Sequence, residues 1–496
     1  MVPCILPWDI AEATFKCGAF RRAFFEDVDS CHRQCARYWI EATKCEWGLL
    51  HPLSSQSAED WQFQIPVFWH LDDVQMAETS GAPVAHTVVS WSSSLTTGST
   101  GLTKHVFLTF PRDDTVPRKT MAALAEVIAW VMTAMQTGRR PAADPAGIPM
   151  QSPAEEFAPP WCFSMSGLKH DLEARVKAHV DCKTYNHNYV CMHCSAHKHM
   201  QCLYMGDLRE NAYFAKTIIG DTDHVRLYNV SPWLKVPGFA YSRALYDQMH
   251  LLYHNGFISD FVSSCLIDLL HHEQVLGADL DDALDEMTSK FLKWRSEQRR
   301  YPNDSRHDFA RLTRLRIKWK GDHAFPELTM CYKCGTVRLF MYFLNDFLTE
   351  HVPGGTRYQQ VRALCAWSFS KYMEVLRNGR AVLSPDEQAE AVKHGQTFLN
   401  QYVVLHQHCK LLRRKLWKIR PKAHYEWHVI DGLRSSAMNP RYGECWLEES
   451  LLGQVCKTFS RCHGATRMAA GLHRHIRFLI DIWYREESQA ECWLAN

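Results

Sequence analysis

Long hydrophobic runs are missing from this sequence. No 18 uninterrupted apolar residues occur, so no membrane span is expected. The first residues, MVPCILPWDIAEATFKC, lack the basic start and apolar stretch of an export signal. An excess of charge of one sign is missing too: 56 Lys and Arg face 54 Asp and Glu, a net charge of +2. Overall charge therefore points to no partner, and a site for polyanions has to be a local patch. No internal repeat of about 20–50 residues is visible, which argues against solenoids and propellers. Walker loops, dinucleotide fingerprints, HExxH and GxSxG are absent.

What remains is an ordinary globular composition. Hydrophobic residues make up 46% and charged residues 22% of the 496, which excludes wholesale disorder, collagen and disulfide-knot classes. This length suggests about two to four structural units, with a core large enough to need no staples. The 19 cysteines are odd in number and scattered, so a reducing setting, cytosolic or nuclear, is expected.

Residues 1–60 read as a helical N-terminal segment rich in Cys and Trp. Over 63–110, the runs IPVFWHLDD, APVAHTVVSWSSS and KHVFLTFP are β-branched and aromatic and are broken by Gly, Ser and Pro, as in strands and turns. KTMAALAEVIAWVMTAMQT (119–137) has helical spacing, and a Pro/Ala/Gly linker follows at 140–160. WCFSMSG then reads as a strand and LKHDLEARVKAH as a helix. The first part of the core thus covers 61–240, including a Cys/His-rich knuckle at 182–202. A helical block covers 241–416, with breaks at Tyr301-Pro302 and Pro353-Gly354-Gly355. The last part, 417–496, opens on an extended piece, AHYEWHVI, and ends in helices. Strand-rich parts flanking a helical block imply an α/β core interrupted by a large helical insertion.

Several constellations can carry chemistry. Asp72 and Asp73 follow the apolar run Ile65–Trp69, where a carboxylate can hold a metal or merely close a turn. Glu448 and Glu449 open an amphipathic stretch, where acids also serve as helix-dipole partners. Cys191-Met192-His193-Cys194 is a C-x-x-C knuckle, with Cys182 and His187 before it and His197, His199 and Cys202 after it, a density suited to zinc. A second C-x-x-C, Cys331 to Cys334, lies in a helical pattern where core cysteines are common. Asp247 and His250 share one helical face, as a local polar pair or metal ligands. Two stretches, 290–322 with 11 Lys/Arg against four acids and 409–424 with seven Lys/Arg and no acid, suit phosphate backbones. Arg299, Arg300, Arg311, Arg314, Arg316, Lys318, Arg413, Arg414, Lys415 and Lys418 are the candidate DNA contacts. Trp294, Tyr301 and Trp319 are available to stack on bases, although a charge run is more often a solvated helix face.

The order of these segments over most of 55–485 resembles transposase-derived proteins of the DDE/D class, nearest the CACTA and KDZ type expanded in protist genomes. The resemblance rests on Pro66-Val67-Phe68-Trp69-His70-Leu71-Asp72, the C-x-x-C insert and GDLRENAYFAKTI after it. It also rests on Asp247-x-x-His250, and on Arg420-Pro421-Lys422-Ala423-His424 before NPRYGECWLEESLLGQ. It implies an RNase H-like core in which Asp72 and Glu449, with Glu448 as the alternative, are catalytic acids holding Mg²⁺. His70 and His424 would flank them. Cys191 and Cys194 would hold structural zinc, with Asp247/His250 or His197/His199/Cys202 completing the set.

The sequence departs from that pattern at the second acid. Gly167 or Leu168 falls at its place; Asp171, a few residues on, is the first-choice substitute and Asp207 a poorer one, although at a strand-to-helix boundary Asp171 is expected to point elsewhere. A bridging carboxylate is central to two-ion phosphodiester chemistry. The resemblance therefore implies a DNA-binding protein with impaired catalysis; the alternatives are a zinc-stabilised interaction module or a folded relic.

Overall fold

In the computed structural model, residues 2–76, 84–178, 180, 183, 185–228, 230–298, 309–351 and 354–494 are described, with 117, 465 and 486–494 described by backbone alone. Arg299, Arg300, Tyr301 and Cys182 lie outside the described residues. The strands are β1 (Gln64–Met76), β2 (Val84–Ser93), β3 (His105–Pro111), β4 (Cys162–His170) and β5 (Ala244–Tyr246). They form one mixed sheet in the order β3-β2-β1-β4-β5. β1 pairs antiparallel with β2 and β2 with β3, whereas β4 runs parallel to β1 and β5 parallel to β4.

The central strands are buried along most of their length, as expected for a sheet covered on both faces. The N-terminal helices α1 (Pro7–Lys16), α2 (Phe20–Phe24), α3 (Cys31–Ala42) and α4 (Glu46–Leu50) contribute to that cover. Phe24 stacks on Trp91 of β2 and meets Phe163 of β4 edge-on, while Trp39 Nε1 donates to Gln64 O at 2.7 Å. The short α5 (Thr100–Thr103) precedes β3 and the long α6 (Pro117–Thr137) follows it, with Trp69 Nε1 of β1 donating to Met132 Sδ at 3.2 Å. The 140–160 stretch folds back onto this core and buries Phe157 and Ala158.

β4 extends further than its sequence pattern implies. Leu168-Lys169-His170, expected to begin a helix, instead pair with β1 and β5, so α7 (Leu172–Lys177) starts only after Asp171. Backbone pairing with a buried parallel neighbour outweighs the local helical pattern of LKHDLEARVK. Ser166 sits at a register shift, and a Cβ on Gly167 would meet the Arg243 carbonyl at 2.4 Å. No acid fits at that position without moving backbone.

Beyond β4 come α8 (Asp221–Tyr228), α9 (Gln248–Leu252), α10 (Phe257–Ile267) and α11 (Leu280–Glu297), then α12 (Cys334–Glu350), α13 (Arg357–Asn378) and α14 (Pro385–Leu411). Capping boxes at Thr356/Gln359 and Ser384/Glu387 start the last two of these. Residues 309–333 depart from the expected all-helical block and run as turns, with positive φ at Lys318 and Gly321. The piece AHYEWHVI, expected to be extended, lies within α15 (Pro421–Ser435). Pro421 supplies the first-turn φ, and packing of Ala423, Tyr425, Trp427 and Ile430 decides the rest. The chain closes with α16 (Trp446–Phe459) and α17 (Arg467–Leu494), whose Leu479 and Trp483 are buried. One continuous hydrophobic cluster joins the sheet to the helical block. Among the described residues no helix is long and apolar enough to cross a membrane.

Candidate functional site

Four elements bring acids together. β1 carries Asp72. The parallel register His70↔Lys169, continued by two residues, brings Asp171 abreast of it at the end of β4. Asp171 caps α7, its Oδ1 accepting from Ala174 N at 2.6 Å. The first turn of α16 carries Glu448 and Glu449, and Asp247 caps α9, which carries His250.

The charges register this convergence. Burial, then the nearby Asp171 and Glu449 carboxylates, push the Asp72 carboxyl up to about 7. Glu449 is raised by burial and by Asp247, Asp171 and Glu448, with His250 opposing. Burial works against a charged His250, yet Asp247, hydrogen-bonded to its Nδ1, together with Asp171 and Glu449, lifts it to about 9. His250 is thus an imidazolium at neutral pH, its Nε2 3.8 Å from Glu449 Oε1. Asp171 is therefore within electrostatic reach of both other acids.

Glu448 does a different job. It is buried, with Oε1 3.1 Å from both Lys104 Nζ and Lys169 Nζ. Against the burial that would raise it, the two ammonium groups hold its carboxyl well below the usual range. Glu448 Oε1 is thus shared by two buried lysines, whereas Glu449 lies beside His250. His70 lies in the buried layer behind, with Nδ1 3.3 Å from Ser90 Oγ.

A separate centre is built from Cys191, Cys194, His424 and His428, whose ligand atoms all lie within 4.8 Å of one another and could hold a metal such as zinc. Cys191 Sγ is 3.4 Å from His428 Nε2, and Cys194 Sγ is 3.3 and 3.4 Å from His424 and His428 Nε2. Tetrahedral zinc with ordinary Zn–S and Zn–N bonds spaces such atoms at about 3.6 Å. The knuckle turn is closed by His193 N donating to Cys191 Sγ at 3.3 Å.

The expected partners of the two cysteines are not these histidines. Asp247 and His250 belong to the acid cluster. His197 Nδ1 instead accepts from the His199 and Met200 amides, and His199 and Cys202 are exposed. His424, expected beside the acids, belongs to the Cys/His centre. The available signal was the pair His424 and His428, four apart behind Pro421, which a helix places on one face. More than 200 residues separate it from the knuckle, so spacing alone could not link them.

The two basic stretches meet in space: Lys415 N donates to Asp322 O at 2.9 Å, and Lys415 and Lys418 both lie over Phe325. Much of the charge is neutralised locally. Arg311 pairs with Asp285, Arg314 with Asp281, and Lys318 and Lys418 with Glu327, while Arg316 donates to the Arg311 carbonyl. Trp294 packs on Phe291 and Phe343 and donates to Asp346, and Trp319 packs beside His271, so neither is a free stacking platform. Among the described residues, Arg413, Arg414 and Lys415 have no salt bridge, and they follow Leu411, which is 85% exposed. These three lie together in the turn after α14. No family model matches this chain, and no curated protein matches it.

Proposed function

We propose that the chain is a transposase-derived protein with an RNase H-like core that cleaves and joins DNA strands at Asp72, Asp171 and Glu449. The supporting observation is the convergence itself. An acid on the central strand, an acid at the end of its parallel neighbour and an acid from beyond the helical block share one electrostatic environment. The strand order β3-β2-β1-β4-β5, with β2 alone running against the others, supports the core assignment. The residues fit a pair of hard dications: all three donors are carboxylates, and burial together with the neighbouring acids disfavours the charged form of Asp72, which Mg²⁺ or Mn²⁺ would favour. When bound, such ions supply activation of the attacking oxygen and stabilisation of the leaving one. The protein's own part is to hold Asp72 and Asp171 on adjacent strands, to keep His250 charged beside Glu449, and to present Arg413, Arg414 and Lys415 to a phosphate backbone.

This reading favours an intact acid set over the impaired catalysis that the sequence pattern implies. Purified protein is expected to nick supercoiled DNA with Mg²⁺ or Mn²⁺, and Asp171→Asn is expected to lower the rate at least about 100-fold. A folded, zinc-loaded protein that nicks nothing would return the chain to the interaction-module reading. Zinc is the ion that the Cys191, Cys194, His424 and His428 donors suit best. Elemental analysis of the protein as purified is expected to find about one zinc per chain. Cys194→Ser and His428→Ala are each expected to lose it together with thermal stability, because ligand binding and folding are coupled.

A further inference from the structure

A second donor set lies away from both sites. α10 runs directly into a π-helical turn, Asp268–His272. Such turns are rare and frequently functional. The rings of His271 and His272 lie 4.9 Å apart, and Asp322 faces them across a turn, its Oδ1 3.3 Å from His272 Nε2. The ligand atoms of all three fall within 4.8 Å of one another. His272 Nε2 is buried and makes no hydrogen bond of proper geometry, which leaves that ring nitrogen unsatisfied.

Both sides of the set are held in place by surrounding contacts. From inside, Arg362 pairs with Asp268 and Glu273, which bracket the two histidines. On the other side the Asp322 carbonyl accepts from Lys415 N, and Trp319 packs against both imidazole rings.

We propose that His271, His272 and Asp322 form a second metal site for a borderline divalent transition ion, with water completing its coordination. Two imidazoles and one carboxylate are the donors that Zn²⁺, Ni²⁺ and Cu²⁺ prefer, whereas Mg²⁺ and Ca²⁺ favour an all-oxygen shell. The Arg414 guanidinium lies near enough to act on His272 and repels a cation, so this site fills after the Cys/His centre. The bound ion clips the 309–333 turns to the π turn. Through Lys415 it steadies the basic tip after α14. The site rests on its own donors and stands or falls independently of the reading of the acid cluster.

The test uses tag-free full-length protein with zinc already in the Cys/His centre, titrated with Ni²⁺ by calorimetry and by visible absorption. One Ni²⁺ per chain is expected, without the sulfur-to-metal charge-transfer band of a thiolate site. Asp322→Asn is expected to weaken binding at least about tenfold, the loss typical of damage to a metal shell. Asp322 is half exposed, so this variant keeps the fold even if His272→Gln does not. Cys194→Ser is expected to leave the Ni²⁺ site in place. A wild-type chain that takes up no Ni²⁺, or uptake unchanged by both Asp322→Asn and His272→Gln, overturns the assignment.

Discussion

Asp72→Asn is expected to make the Mg²⁺-free protein more stable at pH 8 while abolishing nicking. The Asp72 carboxyl is raised from an ordinary value of 3.8 to about 7, by burial first and then by Asp171 and Glu449. The folded state therefore holds a proton that the unfolded chain releases near pH 4. As pH rises from about 4 through about 7, the wild-type protein loses stability, to a limit of about 4 kcal/mol once the folded carboxyl is ionised. Asn cannot ionise and escapes this loss. The variant's advantage should thus be large at pH 8 and small near pH 4. Denaturation curves at the two pH values, with zinc left in place, measure the difference. Mg²⁺ or Mn²⁺ should reverse the order at pH 8 by stabilising the wild type alone. An advantage of equal size at both pH values would mean that the folded state does not raise the Asp72 carboxyl.

Glu448→Ala is expected to cost about 3–5 kcal/mol, the penalty for leaving buried charge uncompensated. Lys104 and Lys169 are 2% exposed, and Glu448 Oε1 lies 3.1 Å from each of their ammonium groups. Removing the carboxylate leaves two like charges facing each other in the interior. Glu448→Gln keeps the shape and should lose somewhat less. A double variant, Glu448→Leu with Lys169→Met, should recover much of the loss, because an apolar pair of similar volume needs no counter-charge. Chemical denaturation of the three variants separates a charge effect from a packing effect. If Glu448→Ala proves neutral, the buried triad is not formed, and the assignment of Glu449 as the cluster-facing acid goes with it.

Glu448 and Glu449 also show what a sequence leaves undecided. Both are acids in a helix's first turn, and nothing local separates them. Only the packing of α16 against the sheet sends one toward two buried lysines and the other toward His250. Asp171 makes the same point from the opposite side. Local pattern ended β4 early, and the family resemblance put the second acid at Gly167 or Leu168, where Leu168 is buried and Gly167 has no room for a side chain. Parallel pairing with β1 as far as Lys169, and with β5 as far as His170, extends the strand and leaves Asp171 at its end.

The sequence by itself determined the elements whose periodicity is strong: three early strands, the 119–137 helix, the helical character of most of 241–411, and the C-x-x-C knuckle. It also singled out the pairs Asp72/Asp73, Glu448/Glu449 and Asp247/His250, because residue types and flanking patterns are local properties. Tertiary structure alone decided which of them meet. The Cys191/Cys194 and His424/His428 pairs are joined by a fold that brings distant segments together, and the paired lysines and arginines are neutralised by acids far along the chain. Local pattern fixes what a residue can do, whereas long-range packing fixes its neighbours, and the charge state of a buried group is set by those neighbours.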